Sequence, residues 1–176
     1  MTGMFDWFGK RGKSDHDAIK AYRWVIRINP EDGSAWYCLG VAYANLKRYD
    51  DAIEAYRQAT RIDPEDAIAW QGLGDAYANL KRHDDAIKAY RETVRINPED
   101  ADTWYNLGVA YANFKRHDDA IKAYRETVRI NPGLAVAWYN LVIAYVISGN
   151  RAAALNALRN LRHLDPAMAE KLSPLP

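Results

Sequence analysis

The sequence returns to one pattern every 34 residues. Trp36, Trp70, Trp104 and Trp138 keep that spacing, as do Tyr43, Tyr77, Tyr111 and Tyr145. Pro30, Pro64, Pro98, Pro132 and Pro166 follow the same beat. The stretch AWQGLGDAYANLKRHDDAIKAYRETVRINPED, residues 69–100, reappears as TWYNLGVAYANFKRHDDAIKAYRETVRINPGL at 103–134. An earlier copy, AWYCLGVAYANLKRYDDAIEAYRQATRIDPED, occupies 35–66. A single unit of this length cannot bury its own apolar face, so neighbours must stack to make a continuous core. The period therefore dictates an array rather than a folded-back globule.

Each unit reads as two helices. In the second, Trp70, Leu73 and Tyr77 fall at i, i+3 and i+7, one face of a helix. Gly74 lies beside that face, and glycine weakens a helix by about 1 kcal/mol relative to alanine. Its recurrence therefore calls for close approach of a neighbouring helix. The turn NLKRHDD follows, with Asp84 and Asp85 in the first turn of the second helix, where carboxylates suit the positive end of the dipole. That helix is expected to bury Ala86, Ile87, Tyr90 and Val94 and to expose Lys88, Arg91, Glu92 and Arg95. Asn97-Pro98 stops it, because the residue before proline is pushed out of the helical region. Glu99 and Asp100 then bring negative charge to the next helix start.

The order Trp70, Leu73, Gly74, Tyr77, Ala86, Tyr90, Pro98 resembles the tetratricopeptide repeat, residue for residue and offset for offset. A single match would be weak; repetition in phase makes it strong. The departures are Tyr56, Tyr90 and Tyr124 where Phe is usual, Thr93 and Thr127 for a small alanine, and Val142 for the glycine. The resemblance implies an all-α, right-handed superhelical solenoid of helix-turn-helix repeats. The expected layout is one solenoid domain: an N-terminal segment at 1–14, a half repeat at 15–32, and full repeats at 33–66, 67–100, 101–134 and 135–166. A short cap and tail at 167–176 close it.

The resemblance also implies that the first helix of each unit lines a concave, peptide-binding groove. Carried onto this sequence, the lining is Tyr37, Val41 and Asn45, with Ser34 and Cys38, in the first unit; Gln71, Asp75 and Asn79, with Ile68 and Gly72, in the second; Tyr105, Asn106, Val109 and Asn113, with Asp102, in the third; and Tyr139, Asn140, Ile143 and Ile147, with Val136 and Val146, in the fourth. These positions vary while the packing positions hold. A surface fitted to a partner behaves so, as does drift at exposed sites, and the former reading is preferred. Tyr37, Tyr105, Tyr139, Asn106 and Asn140 are expected to converge free of packing duty. Some family members grip chaperone C-terminal carboxylates with groove Lys and Arg. Here those places hold Tyr37, Val41, Asn106, Val136 and Asn140, so that tail is not the expected ligand.

Composition closes other routes. Lys plus Arg number 24 against 23 for Asp plus Glu, a net charge of +1 that gives no reason to expect nucleic acid or an anionic membrane as partner. Cys38 is the single cysteine, which rules out an intrachain disulfide and permits a reducing compartment. No apolar run approaches the roughly 20 residues of a membrane span, and no secretory signal is read at the N-terminus, so cytoplasmic is the default. The histidines His16, His83, His117 and His163 lack the companions of a metal site and read as exposed turn residues. Carboxylate pairs such as Asp84-Asp85 recur at helix starts, as capping charges rather than an acid/base dyad. No phosphate loop or nucleophile signature is present. Lys47-Arg48, Lys81-Arg82 and Lys115-Arg116 could form a basic ridge for an acidic segment or RNA; the aspartates three residues on favour a solvated mixed-charge edge.

The two ends differ from the middle. Met4, Phe5, Trp7 and Phe8 either anchor to a membrane surface with Lys10, Arg11 and Lys13 or, as preferred, cover the half repeat around Ile19, Tyr22 and Ile26. Near the C-terminus Leu155, Leu158, Leu161 and Leu164 share roughly one stripe. Leu158 and Leu161 stand at the family's inward positions, which leaves Leu155 and Leu164 near the end. Weak homodimerisation through the C-terminal helix is expected from that patch. The sequence thus reads as a non-catalytic adaptor, with no enzyme activity and no cofactor or metal, binding a peptide or helix of another protein. A self-assembling scaffold stacking through its end faces is the alternative.

Overall fold

The computed structural model describes residues 14–172. Among these, ten helices and no strand occur: α1 Asp15–Ile28, α2 Gly33–Asn45, α3 Tyr49–Ile62, α4 Ala67–Asn79, α5 His83–Ile96, α6 Ala101–Asn113, α7 His117–Ile130, α8 Ala135–Ile147, α9 Arg151–Leu164 and α10 Pro166–Glu170. The chain divides into two compact units, Met1–Ile96 with α1 to α5 and Asn97–Pro176 with α6 to α10. Helix α2 packs with α3, α4 with α5, α6 with α7 and α8 with α9, pairs that fall within the spans expected for the four repeats, and α1 lies within the span expected for the half repeat. The N-terminal aromatics lie outside the described residues.

Helix starts follow local chemistry. Asp32 accepts a hydrogen bond from the Ala35 N–H, Asp66 from those of Ile68 and Ala69, and Asp100 from those of Asp102 and Thr103. Each satisfies backbone donors that the first helical turn leaves unpaired. The loop before each cap is tied to the helix after it: the indoles of Trp36, Trp70, Trp104 and Trp138 donate to the carbonyls of Pro30, Pro64, Pro98 and Pro132 at 2.8–2.9 Å. This bond gives the recurring tryptophan a second duty beside its apolar area.

The turn inside each repeat closes as a Schellman motif. In the first repeat the Lys47 N–H donates to the Ala44 carbonyl and the Arg48 N–H to the Tyr43 carbonyl, at 2.8 and 2.9 Å. The motif requires a left-handed residue, and Lys47, Lys81 and Lys115 adopt φ of 58°, 59° and 59°. The fourth repeat uses Gly149, at φ 75°, in the same place. The arginine that follows lies 4.6–4.8 Å over the ring of Tyr43, Tyr77 or Tyr111 and pairs with Asp51, Asp85 or Asp119. Three of the six ridge cations thus hold the turn together.

The recurring glycines face the second helix of their own repeat. A Cβ on Gly40, Gly74 or Gly108 would come within 2.5–2.6 Å of the ring of Tyr56, Tyr90 or Tyr124. Each tyrosine lies sixteen positions after its glycine (56 − 40, 90 − 74, 124 − 108) and is buried. The fourth repeat departs at both positions together, with Val142 and Leu158, both buried. A smaller partner side chain makes room for the larger helix side chain, and core volume is kept.

In the second unit Leu158 and Leu161 are buried and Leu155 and Leu164 are exposed. The short α10 starts one residue before the expected cap boundary, because Asp165 accepts from the Met168 N–H and a proline suits a first helical turn. Ala169 and Leu172 are buried there.

Candidate partner-binding face

The lining positions expected from the sequence all lie on α2, α4, α6 and α8, and none is buried. Tyr37, Val41, Gln71, Asp75, Tyr105, Asn106, Val109, Tyr139, Asn140 and Ile143 are half-buried; Asn45, Asn79, Asn113 and Ile147 are exposed. Half-burial suits a contact surface, since such a side chain is fixed at its base and can still meet a ligand.

In the first unit, α2 and α4 touch each other along this face. The Tyr37 ring leans on Tyr56, centroids 5.9 Å apart at 44°. Asp75 accepts a 2.6 Å hydrogen bond from the Tyr90 hydroxyl, and Asn79 Nδ2 donates to the Asp75 carbonyl at 2.9 Å. Asn45 Nδ2 donates to Asp15 at 3.1 Å, which joins α2 to α1. In the second unit Tyr105 leans on Tyr124, centroids 6.0 Å apart at 45°. Asn140 Nδ2 donates to the Tyr105 hydroxyl at 3.1 Å and links α6 to α8. Tyr37 and Tyr105 therefore do carry packing, contrary to the expectation that they were free of it.

Sequence reasoning missed the contribution of the second helices to this face. Tyr56 meets Tyr37, Tyr90 holds Asp75, and Tyr124 meets Tyr105. The signal was present in the paired glycine and tyrosine positions. Burial pushes all three phenols up; the charges of Tyr37 and then Asp75 add to this at Tyr56, Asp75 by charge and hydrogen bond at Tyr90, and Tyr105 at Tyr124. The Tyr22 phenol is pushed up to about 12, by burial first and then by Cys38. Burial also raises the Cys38 thiol, against the opposing hydrogen bond with Tyr22, so the thiol stays protonated and reads as a packing residue.

Three recessed clefts lie elsewhere, on the seams between second helices. In the first unit Arg23, Ile26, Trp36, Leu39 and Tyr43 line one of about 540 Å³, and Arg57, Thr60, Trp70, Leu73 and Tyr77 one of about 360 Å³. In the second unit Arg125, Val128, Trp138, Leu141 and Tyr145 line one of about 400 Å³. Their indoles are bonded to proline carbonyls. In the first unit their tyrosines also lie under paired arginines. Among the described residues no group of three or more His, Cys, Asp or Glu could hold a metal ion, and no helix is long and apolar enough to cross a membrane.

The profile of the Tetratricopeptide repeat family matches residues 16–67, 48–101 and 72–135. The chain belongs to the tetratricopeptide repeat family. Its fold is all-α, of the helix-turn-helix solenoid class. Among solved structures, one of MamA is 30% identical, covering 86% of this chain and 89% of that one at a TM-score of 0.80. A second structure of MamA is 31% identical, covering 94% and 89% at 0.81. YrrB, described as a TPR protein with an unusual peptide-binding site, is 23% identical, covers 92% and 84% at a TM-score of 0.82, and shares the fold. Comparison with curated proteins gives no match.

Proposed function

We propose that this tetratricopeptide protein is a non-catalytic adaptor that binds a peptide or helix of another protein on the face of its first helices. One observation carries this reading. The recurring Trp, Leu, Tyr and turn residues are occupied in packing, loop bonds and turns, whereas Tyr37, Gln71, Tyr105 and Tyr139, and likewise Val41, Asp75, Val109 and Ile143, change between repeats and lie half-buried on the first helix of each. That face offers tyrosine, asparagine and aliphatic groups. Tyrosine gives contact area at low entropy cost, and amides pair with a ligand backbone. The peptide-binding site ascribed to YrrB agrees with this use of the fold.

The test is affinity capture by the native chain, by Tyr139→Ala with Ile143→Glu, and by Leu155→Glu. Proteins held by the native chain and by Leu155→Glu, and lost by the face variant, support the adaptor. The same proteins held by all three would overturn it.

A second reading, self-association through the C-terminal end, has its own observation. Leu155 is 51% exposed, while in the same register of earlier repeats Ile53 and Ile87 are 3% and 2% exposed and Ile121 is half-buried.

A further inference from the structure

We propose that the cleft between α7, α8 and α9 is a second binding site, which takes an acidic segment of a partner protein. An aspartate or glutamate of that segment sits on Arg125, and an adjoining apolar side chain sits on Tyr145. The site lies apart from the first-helix face and does not rest on the adaptor reading. Trp138, Leu141 and Tyr145 line it at i, i+3 and i+7, whereas Tyr139, Ile143 and Ile147 of the expected face project from the other side of α8.

The aromatic floor is open here and covered elsewhere. In the three earlier repeats the arginine after the turn lies over Tyr43, Tyr77 or Tyr111 and pairs with Asp51, Asp85 or Asp119. The fourth repeat has Asn150 and Ala153 at those two places, and Tyr145 is half-buried where the other three tyrosines are buried. The turn itself stays closed, by Gly149 at φ 75° and by the Asn150 side chain, which accepts the Ala153 N–H at 3.1 Å.

The charge of the cleft has changed with its floor. Carboxylates line the first-unit clefts, Asp51 and Glu54 in one and Asp85 in the other, and none lines this one. Helices α8 and α9 contain no Asp or Glu, while α9 carries Arg151, Arg159 and Arg162. Arg57 pairs with Glu54, but the same place before Arg125 holds Lys122. The acids of α7 serve other cations: Asp119 takes Arg116 and Lys122, and Glu126 takes Arg129, which also meets Glu99. Asp118 stands two turns before Arg125, about 10 Å along the helix and beyond ion-pair reach. Among the described residues the exposed Arg125 guanidinium enters no ion pair or hydrogen bond. Arginine grips a carboxylate through two parallel bonds, and acid-free walls leave no competitor for it. A volume of about 400 Å³ holds that carboxylate and its apolar neighbour.

The test selects random 12-residue peptides on the full chain and on Asn150→Arg with Ala153→Asp, which rebuilds the arginine of the earlier repeats over Tyr145. Peptides kept by the native chain and lost by that variant should share an Asp or Glu at one place beside an apolar residue. Arg125→Met keeps the stem without the charge and should weaken the best such peptide about tenfold. Changing the peptide's acid to its amide should cost a similar factor on the native chain and almost nothing on Arg125→Met, because both changes remove one contact. A benzophenone copy of the peptide should cross-link to α7 or α9. Peptides without a shared acid, or none that separates the two proteins, would overturn the inference. So would an equal amide penalty on the native chain and Arg125→Met, or a single-stranded RNA that binds through Arg125 more tightly than any peptide.

Discussion

Lysine at a left-handed backbone position is a local cost that this sequence carries three times. A side chain at φ near 60° costs roughly 1–2 kcal/mol against the right-handed region, and glycine avoids it. Part of that gain is lost because glycine frees the unfolded chain. Lys81→Gly should therefore raise stability by about 0.5–1 kcal/mol, read as a higher urea midpoint at unchanged slope. An unchanged or lower midpoint would show that the lysine stem compensates for its backbone. The buried phenols set a second expectation. Tyr56, Tyr90 and Tyr124 are held above the ordinary tyrosine value, chiefly by burial. An acid whose folded pKa is raised stabilises the fold fully below its unfolded value, near 10, and loses that contribution as pH climbs towards the folded value. The thermal midpoint should fall as pH rises above about 10, with part of the phenolate absorbance appearing only on unfolding. A flat midpoint across that range would contradict the burial account.

At the scale of the helix pair, the glycine and the tyrosine sixteen residues on act as one unit. Gly74→Val should destabilise by about 1–3 kcal/mol, since the new Cβ would lie 2.5 Å from the Tyr90 ring. Adding Tyr90→Leu copies the Val142–Leu158 pair and should recover most of that loss, a coupling that denaturation of the two single variants and the double variant would measure. Additive losses would mean the two positions are independent. Much of this scale was legible in the sequence. The 34-residue period gave the helix pairs, Glu99 and Asp100 marked a helix start by their charge, and the family's packing positions gave which of Leu155 to Leu164 turn inward. The tyrosine packing on the binding face was not legible from one helix at a time, because Tyr37 meets Tyr56 across two helices that periodicity treats separately. The left-handed lysines were also hidden, since turn chemistry leads one to expect glycine there.

For the molecule as a whole, two surfaces compete for a role: the first-helix face and the open C-terminal end. Leu155 and Leu164 are exposed on α9, beside the short α10. An end that exposes the same patch on every copy favours a two-fold pairing. Sedimentation equilibrium should show weak association of the full chain rising from micromolar to millimolar concentration, reduced by Leu155→Glu. A mass that stays monomeric throughout would remove the scaffold reading and leave the adaptor intact. The adaptor itself is tested most directly by hydroxyl-radical footprinting of the full chain with and without its captured partner. Tyr37, Tyr105, Tyr139 and Ile143 should lose reactivity in the complex, while Trp24 and Phe114, exposed on α1 and at the end of α6, should keep theirs. Protection of Trp24 or Phe114 with the first-helix tyrosines unchanged would contradict the account.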